Sequence, residues 1–309
     1  MAKYRVLSLD GGGLRGLITV RMLEQLVDDP EIAGWLDQVD LIAGTSTGGI
    51  IALGIAAGKP LSELAALYHS KGQAIFDDSI WDDIKDMGKI IGADYSSKVL
   101  KQELKAIFGT TKLGKLQKKV AITAFDLDNE AGSKRTWKPK IFHNYSGPGS
   151  DGRYSAANVA LYTSAAPTYF PSVDGYIDGG VFANNPSMVA LVQAISKKNT
   201  PQERAQLDEV VLLSIGSGIS LKYIKEKKLD WGYAQWAKPM LEVLMDGVAG
   251  ISDYQCQQLL DDRYHRLQVT FGKKEKIDMD NVKKISRMDE IGRTHDVRAT
   301  RKWIKQHWL

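Results

Sequence analysis

The chain has 309 residues, 43% of them hydrophobic and 25% charged, with one cysteine and a formal net charge of +4. Such proportions exclude a disordered, collagen-like or disulfide-built protein, since Cys256 alone can form no internal bridge. Residues 265–309 hold twelve Lys/Arg against six Asp/Glu, and the rest of the chain is slightly acidic. A basic end of this kind forms a solvated face or meets anionic headgroups; no nucleic-acid partner is expected.

The first five residues, Met1 to Arg5, lead directly into a strand-like run, without the apolar core of a secretory signal. Residues 3–10 (KYRVLSLD) read as a buried strand, followed by glycines and a helix near 14–28. A second strand at 39–43 (VDLIA) is again followed by glycines and a helix near 47–57. Helical spacing returns at 61–76 and 97–108, the latter stopped by Gly109. The runs at 120–125 and 210–215 are continuous and rich in β-branched residues, as in strands covered on both faces. Further helices are expected near 155–165 and 186–197. The alternation predicts a three-layer α/β/α fold around a mostly parallel sheet. Apolar stretches break within about a dozen residues, too short to span a bilayer, so a soluble cytoplasmic protein is expected.

Two glycine turns follow the first two strands. Asp10-Gly11-Gly12-Gly13-Leu14-Arg15-Gly16 formally matches the dinucleotide fingerprint G-x-G-x-x-G. That reading lacks the acidic residue that should end the second strand, because Asp40 lies at the wrong end of it. The second turn, Gly44-Thr45-Ser46-Thr47-Gly48-Gly49, contains G-x-S-x-G. Glycines two before and two after give a serine on a sharp strand-to-helix turn the clearance it needs. Ile50 stands where a phosphate-binding P-loop requires lysine. If the two strands are neighbours, glycine amides come to lie beside Ser46, where unhindered N–H groups form an oxyanion hole.

Ser46 needs a base. Among the five histidines, His265 fits the hydrolase order Ser…Asp…His, yet only two strands precede Ser46, fewer than that fold builds. Asp178 is the stronger candidate. It ends Tyr176-Ile177-Asp178-Gly179-Gly180, with the apolar stretch Ala165 to Pro171 upstream, and an aspartate in such surroundings has its pKa raised toward a useful value.

Taken together, the first glycine turn, Gly44 to Gly48, Ala166-Pro167 with Tyr169-Phe170-Pro171, Asp178-Gly179-Gly180 and Ser214 to Gly218 resemble the patatin-like phospholipases. The resemblance implies a patatin-like α/β fold and lipid acyl hydrolysis by a Ser46–Asp178 dyad without histidine. It also implies an oxyanion hole from the first turn, Gly11, Gly12 and Gly13; Thr47 is expected to join it, and Arg15 either adds positive charge nearby or is a surface or structural residue. No metal or other cofactor is required. The expected substrate is a phospholipid or other acyl lipid, met through transient contact with a membrane surface. A thioesterase or soluble carboxylesterase with the same dyad, and a non-enzymatic nucleotide-binding module, stand as alternatives.

The whole chain, 1–309, is expected to form one catalytic domain, with a motif-bearing core at about 4–218 and an unassigned, helical, basic part at about 219–309. Asp126 to Trp137 looks superficially like a calcium loop, but Ala131 replaces its essential glycine, and a strand-end turn is expected. Trp236, Met240, Leu244 and Val248 form a stripe at four-residue steps, expected to face the core, with a lipid-entry wall or an interfacial surface as the alternative. Trp303 and Trp308 stand amid Arg301, Lys302 and Lys305, as residues at a membrane surface do.

Overall fold

A computed structural model describes residues 3–76, 97–221, 223–225, 228–272 and 275–309. The central sheet runs in the order β4-β3-β2-β1-β6-β8, with β5 paired to one end of β3. These strands are β1 (Tyr4–Leu9), β2 (Leu41–Thr45), β3 (Lys119–Asp126), β4 (Lys138–His143), β5 (Tyr176–Asp178), β6 (Val210–Ile215) and β8 (Tyr264–Leu267). Pairings among β3, β2, β1, β6 and β8 are parallel, and β4 and β5 join antiparallel. A small parallel pair, β7 (Ile219–Ser220) with β9 (Thr270–Phe271), extends the carboxyl side.

Strand side chains alternate between two cores, as the two-residue period requires. Leu7, Leu9, Ile42, Ile122, Leu213 and Ile215 face one layer. That layer contains α1 (Gly16–Val27), α2 (Thr47–Ala56), α3 (Leu61–Ile75), α4 (Ser97–Phe108), α5 (Ala156–Thr163), α9 (Ile285–Thr294) and α10 (Arg298–Trp303). Val6, Leu41, Ala43, Ala121, Val210 and Leu212 face the other, against α7 (Ser187–Ala194) and the end of α8 (Tyr233–Leu260). Between β5 and α7 lies the single turn α6 (Gly180–Ala183). The mostly parallel three-layer architecture is therefore present. Among the described residues no helix is long and apolar enough to cross a membrane.

Three local expectations are corrected. The second strand starts two residues later than expected and includes Thr45, so Ser46 follows it without a linker. The stripe on α8 does not face the core, since Met240 is 40% and Leu244 50% exposed. The helix packs on α6 and α7, and among its described side chains the fully enclosed apolar positions are Cys256 and Leu260, in its last turns. Trp303 and Trp308 are buried, the latter completely, with their indole N–H groups bonded to Asp262 O and Trp35 O. The Asp126–Trp137 segment joins β3 to β4, with Asp128 held by Arg135.

Candidate active site

The sheet pairing itself places Asp178 beside Ser46. β4 occupies one edge of β3 through residues 121–126. On the other edge β2 pairs up to Thr45↔Thr123, and β5 continues from Ala124↔Asp178. The ends of β2 and β5 therefore abut, and the next residue after Thr45 is Ser46. Thr45 seals the junction by hydrogen bonding to Thr123 Oγ1 at 2.7 Å and to Ala183 O at 2.5 Å.

Ser46 has φ 54° and ψ −125°, a conformation that L residues rarely adopt. It opens α2, whose first amides point toward the cavity above the sheet. The strain is held by contacts on each side. Ser46 N donates to Thr163 Oγ1 at 2.9 Å. A Cβ on Gly44 would strike Gly48 O, and one on Gly48 would strike the carbonyls of Leu9 and Asp10, so both glycines are required by close backbone approach.

The side chains of Ser46 and Asp178 line the same cavity, close enough for the serine hydroxyl to favour the carboxylate form of Asp178. Both are buried. Asp178 Oδ1 also accepts from Gly180 N at 2.7 Å, and Asp178 N donates to Ala165 O at 3.0 Å. Burial raises the Asp178 pKa to about 7, and the Ser46 hydroxyl and the bond from Gly180 offset part of that rise by favouring the carboxylate.

The glycine turn after β1 stands next to the serine. Gly12, Gly13, Ser46, Thr47 and Asp178 line one cavity. Of the four expected oxyanion donors, Gly11 is committed elsewhere: its N–H donates to Asn184 O at 3.0 Å. The amides of Gly12 and Gly13 have no protein acceptor among the described residues, and Thr47 N–H lies in the open first turn of α2. Arg15 does not line the cavity; its guanidinium lies among the carboxylates of Asp246, Asp278 and Glu242, with Nε 3.4 Å from Gly12 O. The cavity holds about 830 Å³ of empty space including its mouth. Its walls are apolar beyond the serine: Leu14, Ile50, Leu67, Ile75, Phe76, Leu100, Phe170, Val181, Met245 and Met279.

Among the described residues no histidine lines this cavity. His265 lies on β8, bonded through Nε2 to Thr300 Oγ1 at 2.9 Å and stacked on Trp303. The site also contains residues that sequence reasoning passed over. Thr163 closes α5 just before the apolar stretch Ala165 to Pro171. Asn184 bonds through its carbonyl to the glycine turn, while its buried Oδ1 has no partner among the described residues. Arg266 reaches from β8 to Asp10 with bonds of 2.9 and 2.5 Å; a lone charge within the strand-like run Tyr264 to Val269 was its only signal.

With this geometry in view, comparison with known proteins gives one consistent result. The model of the family described as patatin-like phospholipase matches residues 7–191. Patatin-like protein 4 of Arabidopsis thaliana is 29% identical, over 89% of this chain and 78% of its own. A cGAMP-activated phospholipase of Vibrio cholerae is 34% identical over 70% of this chain, which thereby spans 64% of that protein. Among solved structures, VipD from Legionella pneumophila aligns with a TM-score of 0.43 at 12% identity, covering 99% of this chain and 67% of that one. The chain belongs to the patatin-like phospholipase family.

Proposed function

We propose that the protein is a lipid acyl hydrolase, of phospholipase A or lysophospholipase type, in which Ser46 is the nucleophile and Asp178 its general base. The observation that carries this reading is the pairing of Ser46 and Asp178 at the polar end of one otherwise apolar cavity. A carboxyl group with a pKa of about 7 is matched to accepting and returning a proton near neutral pH.

Asp178 takes the proton of Ser46 Oγ as the oxygen attacks the ester carbonyl carbon. The negative charge that forms on the carbonyl oxygen is held by the N–H groups of Gly12, Gly13 and Thr47. Protonated Asp178 then gives its proton to the departing alkoxide, leaving an acyl-serine and a free alcohol. Water enters, passes a proton to Asp178 and attacks the acyl carbon. Ser46 Oγ leaves with the proton returned from Asp178, and the fatty acid is released. The apolar walls shelter the acyl chain through both steps. The exposed apolar side chains of α8, on the same helix as the cavity residue Met245, meet the lipid surface from which the substrate comes.

The test is hydrolysis of phospholipid vesicles and of a short soluble ester by the native protein and by Ser46→Ala. Turnover of both should fall on the order of 10⁴-fold or more in the variant with its melting curve unchanged. Substantial residual turnover in folded Ser46→Ala would remove the nucleophile assignment. Activity confined to the soluble ester would replace the lipid hydrolase with a carboxylesterase.

A further inference from the structure

We infer that Arg266 is a positioning residue of the active site, setting the oxyanion turn through Asp10; this rests on the hydrolase reading above. Arg266 lies outside the region that the family model matches. Its strand, β8, pairs with β6 in a register that sets Arg266 beside Ser214, which β6 in turn sets beside Ser8 of β1. All three side chains point to the α7 side of the sheet, and there Ser187 Oγ bonds to Ser8 Oγ and Ser214 Oγ at 3.0 Å each. The guanidinium passes over β6, donates to Ser214 Oγ at 2.6 Å and grips both oxygens of Asp10.

Asp10 is the residue at which β1 becomes the glycine turn. The turn leaves the sheet there, and its other fastenings follow in sequence. Gly11 N donates to Asn184 O, Gly11 O accepts from Ser217 Oγ at 2.7 Å, and Leu14 N donates to Met279 O at 2.7 Å. Between these fixed points only the Gly12 and Gly13 amides are left facing the cavity. A two-point fork sets the direction in which the turn departs as well as its position, which a single point charge cannot do. Oxyanion donors must hold their geometry within a fraction of an ångström, so a tilt at Asp10 is felt at the amides two and three residues on.

Asp10 is buried and Arg266 is largely so, so removing one alone strands a charge and costs stability whatever its role. The decisive variant therefore neutralises both. Asp10→Asn/Arg266→Met should recover most of the melting temperature that Arg266→Met loses, because a buried pair replaced by neutral groups is often close to neutral in stability. Its kcat on a soluble nitrophenyl ester should nevertheless stay about tenfold to a hundredfold below native, with KM within about twofold. Labelling of Ser46 by a fluorophosphonate should slow in parallel. Arg266→Lys keeps the charge and loses the fork, so it should fold and still lose about tenfold in kcat. A folded double variant with native kcat, or Arg266→Lys with native kcat if the double variant does not fold, overturns the inference and leaves the pair purely structural. Native protein that neither hydrolyses the ester nor is labelled at Ser46 shows a different failure, that of the hydrolase reading itself.

Discussion

As the proposed general base, Asp178 would place catalysis and stability in opposition at a single residue. In the folded protein its pKa is about 7, against an ordinary 3.8, because burial disfavours the carboxylate. The folded state thus binds this proton more tightly than the unfolded chain. The stabilisation is full below about pH 4 and is lost as pH rises through about 7, where a negatively charged carboxylate is left buried. The ionised form is the one that can accept the Ser46 proton, so kcat/KM should rise through the same window. Asp178→Asn keeps the shape and the bond from Gly180 but removes the acceptor. Its turnover should fall on the order of 10⁴-fold. Its melting temperature should exceed that of the native protein at pH 8, and the two should converge at pH 4. A variant that stays active, or that melts below native at pH 8, would contradict the assignment of Asp178 as a buried base. His265→Ala should keep most of the activity, since its ring is engaged with Thr300 and Trp303.

At the scale of elements, the strand–turn–helix from β2 to α2 was legible because its requirements are local. Gly44 and Gly48 flank Ser46 in the sequence, and the same two glycines come into backbone contact in the structure. What depends on long-range pairing was not legible. β5 has three residues, too few for a period, and its register on β3 exists only once β2 has stopped at Thr45. Arg266 has no neighbour in sequence that announces Asp10, 256 residues away. The stripe on α8 shows the converse failure: four-residue spacing identifies one face of a helix but does not say what that face meets. Two glycine substitutions separate local propensity from tertiary contact. Gly247→Ala lies in α8 with open space around the added methyl, and should stabilise by up to about 1 kcal/mol through helix propensity alone. Gly48→Ala also lies in a helix, but its methyl would strike the end of β1, and it should destabilise by about 1–3 kcal/mol and displace Ser46. Paired denaturation curves would show the opposite signs; a shared sign would mean that the contact at Gly48 is not what holds the turn.

Across the whole molecule, the C-terminal part completes the sheet and the cavity of the proposed site. β8 closes the sheet beyond β6, Met279 enters the cavity wall, and Trp308 packs at an angle on Trp35. The charge asymmetry of the sequence is spent partly on this assembly, since Arg301 pairs with Asp29, Lys305 with Glu31 and Arg266 with Asp10. The basic end is thereby drawn onto the N-terminal half, and the apolar surface lies elsewhere. Tyr233, Met240, Val243 and Leu244 are exposed on the first half of α8, with Leu221, Tyr223 and Ile224 exposed in the segment before it. Met245, the next residue along, reaches the cavity. A face that is apolar, contiguous with the cavity and placed on one helix is suited to an aggregated lipid, which offers hydrocarbon and a headgroup layer together. Replacing Met240, Val243 and Leu244 together by glutamine leaves the catalytic turns untouched. The triple variant should keep kcat on a soluble ester within about twofold, because none of the three touches Ser46 or Asp178. It should lose about tenfold or more in activity on phospholipid vesicles and in the fraction that co-sediments with them, since three buried apolar side chains are each worth about 1.5 kcal/mol or more. Equal loss on both substrates would mean that α8 supports the fold of the site, and no loss on vesicles would mean that lipid approaches from another side.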